Sequence, residues 1–227
     1  MIRILFILLA SITLQGCGIE YDGATKNIFE GTVIDETGNP LQDIEVKVWY
    51  SNGHSKDYAG IDVTDTNGNY LIIAPSAKEE IVIELQVNKS RYNDPANTFY
   101  SETSVVNITK EVVKAYNYKL SFNDIQLFPR NAGVELKLNF DNQFSQNQSI
   151  IKLNVIGMVN ESYTDYDFSY INDMYEYSFS DFNFQNTLRY YVATNQTLVV
   201  KYMLSDYSVH EFQLQLGEDD IEYTITY

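Results

Sequence analysis

With one cysteine, Cys17, in 227 residues, the chain can form no intramolecular disulfide and no thiolate zinc cluster. Basic residues are scarce as well, 15 Lys+Arg against 31 Asp+Glu, which sets the formal charge at −16. A nucleic-acid binder needs a basic footprint to release counterions from phosphate, so no nucleic-acid partner is expected. The same charge opposes adhesion of the folded body to anionic lipid headgroups. Four prolines and 44% hydrophobic residues argue against a disordered chain. The longest N-terminal apolar run, residues 4–9, is far short of the ~20 residues that a spanning helix needs.

Catalytic signals are missing too. There is no G-x-S-x-G elbow, H-E-x-x-H pair, glycine-rich phosphate loop or Cys/His pairing. The two histidines have bland settings: His54 in the polar loop SNGHSKD, His210 near a strand start beside Phe212. Asp and Glu pairs are so frequent that none is singled out as a glycosidase dyad. The expectation is a non-catalytic protein with no cofactor and no metal.

What is present begins at the N-terminus. MIRILFILLASITLQG has one base at Arg3, then an apolar stretch and a short polar one, the pattern of a secretory signal peptide over residues 1–16. Leu14-Gln15-Gly16-Cys17 resembles the lipobox of bacterial lipoproteins, with Gln15 departing from the usual small or hydroxylated residue. The resemblance implies cleavage before Cys17 and acylation of its sulfur and new α-amine, palmitate included. Two or more chains make such an anchor stable where one is marginal. It also implies a bacterial cell-envelope location, lipid-anchored, at the outer membrane. GIEYDGATK after the cysteine reads as a tether, so that residues 17–26 would hold the folded body off the membrane.

Residues 27–121 show short alternating runs punctuated by Gly and Asn turns, which predicts β-structure. Ile44, Val46, Val48 and Tyr50 share one strand face against Glu45, Lys47 and Trp49; Ile81, Ile83, Leu85 and Val87 do the same against Glu84 and Gln86. Two turns, Asp35-Glu36-Thr37-Gly38-Asn39 and Asp65-Thr66-Asn67-Gly68-Asn69, pair an Asp that bonds the following amides with a Gly that supplies positive φ. Asp65, Asn67 and Asn69 look like the start of a calcium loop. An EF-hand needs Gly at its sixth place and an acid at its twelfth. Counted from Asp65, Gly68 stands fourth and Ser76 twelfth, so a hairpin turn is expected instead.

Gly31, Val33, Asp35, Gly38, Pro40 and Leu41, followed by Val46, Val48, Thr64, Asp65, Gly68 and Tyr70, spell G-x-V-x-D-x-x-G-x-P-L and then T-D-x-x-G-x-Y. That string resembles the carboxypeptidase regulatory-like domain, a prealbumin-like β-sandwich, over residues 28–120. Asp43 departs from it, standing where the family commonly has Gly. The resemblance implies a non-catalytic scaffold or interaction unit of the kind that accompanies carboxypeptidases, TonB-dependent receptors and bacterial surface proteins.

Residues 122–227 resemble no family. Val134, Leu136, Leu138 and Phe140, then Ile151, Leu153 and Val155, then Phe212, Leu214 and Leu216 alternate with polar residues, Lys152 and Asn154 among them. A second β-sandwich is predicted, with the boundary between Ser121 and Gly133. The segment 161–182, ESYTDYDFSYINDMYEYSFSDF, has six acids, eight Tyr or Phe and no base. It reads as a hairpin. Its Tyr166, Tyr170, Tyr175 and Tyr177 either form a binding surface for sugar rings or a basic partner, or lie with one aromatic face in the core. The sequence thus predicts a lipid-anchored binding or assembly module, its partner an envelope protein or a glycan. The alternatives are an accessory subunit of an outer-membrane uptake or secretion complex, or a hydrolase with two carboxylates about 5–9 Å apart.

Overall fold

A computed structural model describes residues 18–89, 97–142, 148–169 and 187–227, and these build two β-sandwiches, the all-β class read from the sequence. In the first, β1 (Tyr21–Ile34), β4 (Asn69–Ala77) and β7 (Lys119–Gln126) form a sheet ordered β4-β1-β7, with β1 and β7 parallel. The facing sheet contains β2 (Glu45–Ser51), β3 (Lys56–Val63), β5 (Val82–Val87) and β6 (Glu102–Thr109). A short helix, α1 (Lys110–Ala115), joins β6 to β7. Ile44, Val46, Val48 and Tyr50 point inward and are fully buried against Phe29, Ile72, Ile83 and Leu85, each such side chain contributing about 1.5–3 kcal/mol. The buried Tyr50 hydroxyl accepts 2.8 Å from Asn27 Nδ2, so its polar tip is satisfied.

Both Asp turns have the expected construction. Asp35 Oδ1 accepts from the amides of Thr37 and Asn39, each at 2.8 Å, and Asp65 Oδ1 from those of Asn67 and Asn69 at 2.8 and 2.9 Å. Gly38 and Gly68 have φ of +87° and +73°. The two turns abut, because the Val33 amide donates 2.9 Å to Gly68 O and the Leu41 amide 2.9 Å to Val33 O. Asp43, the departure from the motif, has φ +61°, the left-handed conformation that glycine adopts readily and that Asp tolerates. The backbone is therefore shaped as glycine would shape it.

Glu84 departs from the alternation. Expected on the wet face of β5, it is buried, because Lys56 Nζ lies 2.8 Å and Lys89 Nζ 3.5 Å from its carboxylate and Gln86 donates 2.8 Å to it. Burial pushes its pKa up, but the bonds from Lys56 and Gln86 and the two ammonium charges outweigh that and hold it below its ordinary value of 4.5. A folded pKa below the unfolded one stabilises fully above that value and is lost as pH falls through the folded pKa. Glu84→Gln is therefore expected to cost about 1.5–3 kcal/mol at pH 7 and to flatten the acid limb of a urea-midpoint-against-pH curve. An unchanged acid limb would refute this.

The second sandwich sets the sheet β11-β8-β14 against β13-β12-β9, from β8 (Val134–Asp141), β9 (Ile150–Ile156), β11 (Thr187–Val192), β12 (Thr197–Leu204), β13 (Val209–Gln215) and β14 (Ile221–Thr226). Leu136, Leu138, Val192, Leu198 and Val200 fill its core. Here the alternation is overridden on β9: Lys152 and Asn154, expected to face water, are buried.

The cause is β10 (Glu161–Asp165). It pairs in parallel with β6, from Glu161 opposite Glu102 to Asp165 opposite Val106, and so joins a sheet of the first sandwich; the rest of the expected hairpin, from 170 onward, lies outside the described residues. The first sandwich's facing sheet is thus five-stranded, in the order β10-β6-β5-β2-β3. The Tyr163 hydroxyl on β10 donates to Leu153 O on β9, so this strand covers the outer face of β9. The tether also differs from expectation: Ile19 is buried, and Tyr21 and Asp22 already pair with Ala77 and Ser76 in the first sheet.

Candidate functional site

The end of β10 gathers the residues with most chemical character. Asp165 ends the strand, and the Tyr166 amide then donates 3.0 Å to Val106 O, which turns the tyrosine ring outward. It meets Phe122 of β7 edge-on, with ring centroids 6.2 Å apart at 79°, a favoured aromatic geometry. Its pKa is raised, by burial first and by the neighbouring Tyr116 second.

Tyr116 is held by the end of α1. Thr109 caps the helix start by accepting from the Val112 amide, Val113 is buried beneath it, and Tyr116 is its C-cap. Asn117 and Tyr118 then take φ of +54° and +63°, a costly left-handed pair that ends the helix and redirects the chain into β7. Tyr116 is left 58% exposed and Tyr166 38% exposed. Two open rings with hydroxyls offer faces for C–H contacts and sites for hydrogen bonding.

Beneath Tyr166 lies a buried polar cluster. Lys152 Nζ is 2.5 Å from Asp165 Oδ2, with side chains 7% and 1% exposed. Asn107 Nδ2 donates 2.9 Å to Asp165 Oδ1, and Lys152 Nζ donates 2.9 Å to Phe168 O. Phe168 covers the pair, its ring 4.7 Å from Lys152 Nζ. Burial raises the Asp165 pKa by more than Lys152 and Asn107 lower it.

Of the tyrosines singled out in the sequence, Tyr166 is at this surface; Tyr170, Tyr175 and Tyr177 lie outside the described residues, as does Cys17. Phe168, which strand parity would put on Tyr166's face, is in a turn and buried. Sequence reasoning missed Tyr116, Phe122 and Asn107. For Tyr116 the signal was K-A-Y-N-Y, a helix end running into Asn. His54 and His210 are both exposed, His210 stacked on Tyr202 at 5.1 Å. Among the described residues, no group of three His, Cys, Asp or Glu is placed to hold a metal ion.

No protein-family model matches the chain, and no curated protein matches it. Solved structures with partial likeness include the shaft pilin SpaA from Lactobacillus rhamnosus GG, 10% identical with a TM-score of 0.31, over 88% of this chain and 98% of the pilin. A streptococcal ancillary pilin is 9% identical with a TM-score of 0.30, over 90% of this chain and 62% of its own. A 9R-lipoxygenase from Cyanothece is 19% identical with a TM-score of 0.26, over 53% of this chain; the chain spans only 20% of that enzyme's length. Likeness of this degree assigns neither an activity nor a partner.

Proposed function

We propose that the protein is a lipid-anchored cell-envelope protein, a non-catalytic module that binds a neutral glycan through Tyr116 and Tyr166. The observation that carries the reading is the exposure of these two rings, Tyr166 edge-on to Phe122. A surface of this kind stacks on sugar C–H faces and bonds sugar hydroxyls, and the formal charge of −16 selects against polyanionic ligands. Anchoring rests on Leu14-Gln15-Gly16-Cys17.

A second reading, an accessory subunit of an outer-membrane uptake or secretion complex, draws on Leu71 and Ile73, 51% and 59% exposed on the outer face of β4. An open aliphatic face suits a protein partner better than a sugar. Capture from solubilised envelope separates the two. The full chain is expected to retain glycan, and Tyr116→Ser/Tyr166→Ser to lose it with an unchanged melting temperature. Retention of an outer-membrane protein by both forms would overturn the glycan reading in favour of the second. In the same cells Cys17→Ser should move the protein from the membrane to the soluble fraction; persistence in the membrane would refute the anchor.

A further inference from the structure

We propose that the side chains of Lys152 and Asn107 join in an intramolecular amide bond, with Asp165 as the proton carrier, tying the two sandwiches covalently. The three groups come from β9, β6 and β10 and are enclosed together: Asn107 and Lys152 are buried, and Asp165's side chain is 1% exposed. One carboxyl group holds both reactants, Oδ2 at 2.5 Å from Lys152 Nζ and Oδ1 at 2.9 Å from Asn107 Nδ2. That arrangement holds amine and carboxamide on the two oxygens of one carboxyl group, where proximity replaces a costly encounter. Asn107 has φ +59° within β6, where the register with β5 shifts, so the strand is bent at the residue that enters the cluster. Its Oδ1 is buried with no hydrogen-bond partner among the described residues. Turning the amide over, an assignment that rests on hydrogen bonding, places that oxygen on the Asp165 carboxyl.

The chemistry balances within the cluster. The first step passes a proton from the Lys152 ammonium to the Asp165 carboxylate, 2.5 Å away in a site where burial disfavours separated charges. The Lys152 Nζ lone pair attacks Asn107 Cγ while the Asp165 proton moves to Oδ1 as the carbonyl opens. Nζ then gives a proton to Asp165. As the carbonyl re-forms, the Cγ–Nδ2 bond breaks, Nδ2 takes a proton from Asp165 and leaves as ammonia, and the Oδ1 proton passes back to Asp165, which ends as the neutral acid. One C–N bond forms and one breaks, nothing is oxidised or reduced, and no co-reactant is needed.

Proteolysis of the purified full chain followed by mass measurement tests this. The peptides bearing Asn107 and Lys152 are expected as one branched species, lighter than their sum by about 17 Da, the mass of ammonia lost when one amide replaces another. Asp165→Ala and Lys152→Arg should both give linear peptides. Linear peptides from the wild-type chain would overturn the proposal however the variants fold. So would a loss of about 18 Da joining Lys152 to Asp165, which marks water as the leaving group.

Discussion

Gly31→Ala is expected to unfold the first sandwich. A Cβ at this position would lie 1.9 Å from Phe122 O, 2.6 Å from Phe122 C and 2.8 Å from the Tyr70 hydroxyl. The first two are backbone atoms of the parallel partner β7, paired directly across from Gly31, so relief requires moving a strand. β1 is the central strand of its sheet, and losing β7 from it opens the core over Phe29 and Leu120. A loss above about 4 kcal/mol is expected, in the range reserved for gross overpacking or a broken network. Gly60 offers the contrast. Its Cβ would meet only Ile72 Cγ2, the tip of a side chain, at 2.7 Å, and Gly60→Ala should cost much less. Denaturant midpoints of the two variants decide it: a Gly31→Ala midpoint close to wild type would show that β7 does not press on β1.

Asp165→Ala should have the second-largest effect. The substitution leaves the Lys152 amine buried without its carboxylate and deprives Asn107 Nδ2 of its acceptor. Breaking a buried ion pair by removing one partner costs about 3–5 kcal/mol, since the remaining charge has lost both water and counterion. The sign is the same whether the pair stays ionic or proceeds to the amide. Location adds a second readout: Asp165 belongs to the first sandwich's sheet and Lys152 to the second sandwich. The variant should therefore unfold in two steps where the wild-type chain unfolds in one. A single transition at the wild-type midpoint would refute the role.

Local rules made much of this fold legible. Strand alternation identified Ile44, Val46, Val48 and Tyr50 as an inward face, because burial on one side of a pleated strand imposes period two on the residues themselves. Turn chemistry found the Asp35 and Asp65 loops for the same reason: every partner lies within four residues. Lys152 and Asn154 were misplaced because alternation shows that a strand has two faces, not what covers each. Their cover is β10, a strand that pairs with β6 some sixty residues earlier in the chain. Tyr116 escaped notice because a six-residue helix is too short to print a 3.6-residue period. Glu84 reads as a wet-face carboxylate until the lysines at 56 and 89 close over it.

Were Cys17 acylated as proposed, the early start of β1 would fix how far the protein can reach. Ten extended residues of tether would span roughly 33–36 Å, enough to let the body swing freely above a bilayer. With Ile19 in the core and Tyr21 already in the sheet, Gly18 is the only residue between Cys17 and the packed chain. Its span is about 3.5 Å. An acyl group on Cys17 would thus act as a short pivot, holding that end of the first sandwich at headgroup depth. Travel away from the membrane would then have to come from a partner that reaches inward, because a body so anchored would have almost no slack to extend.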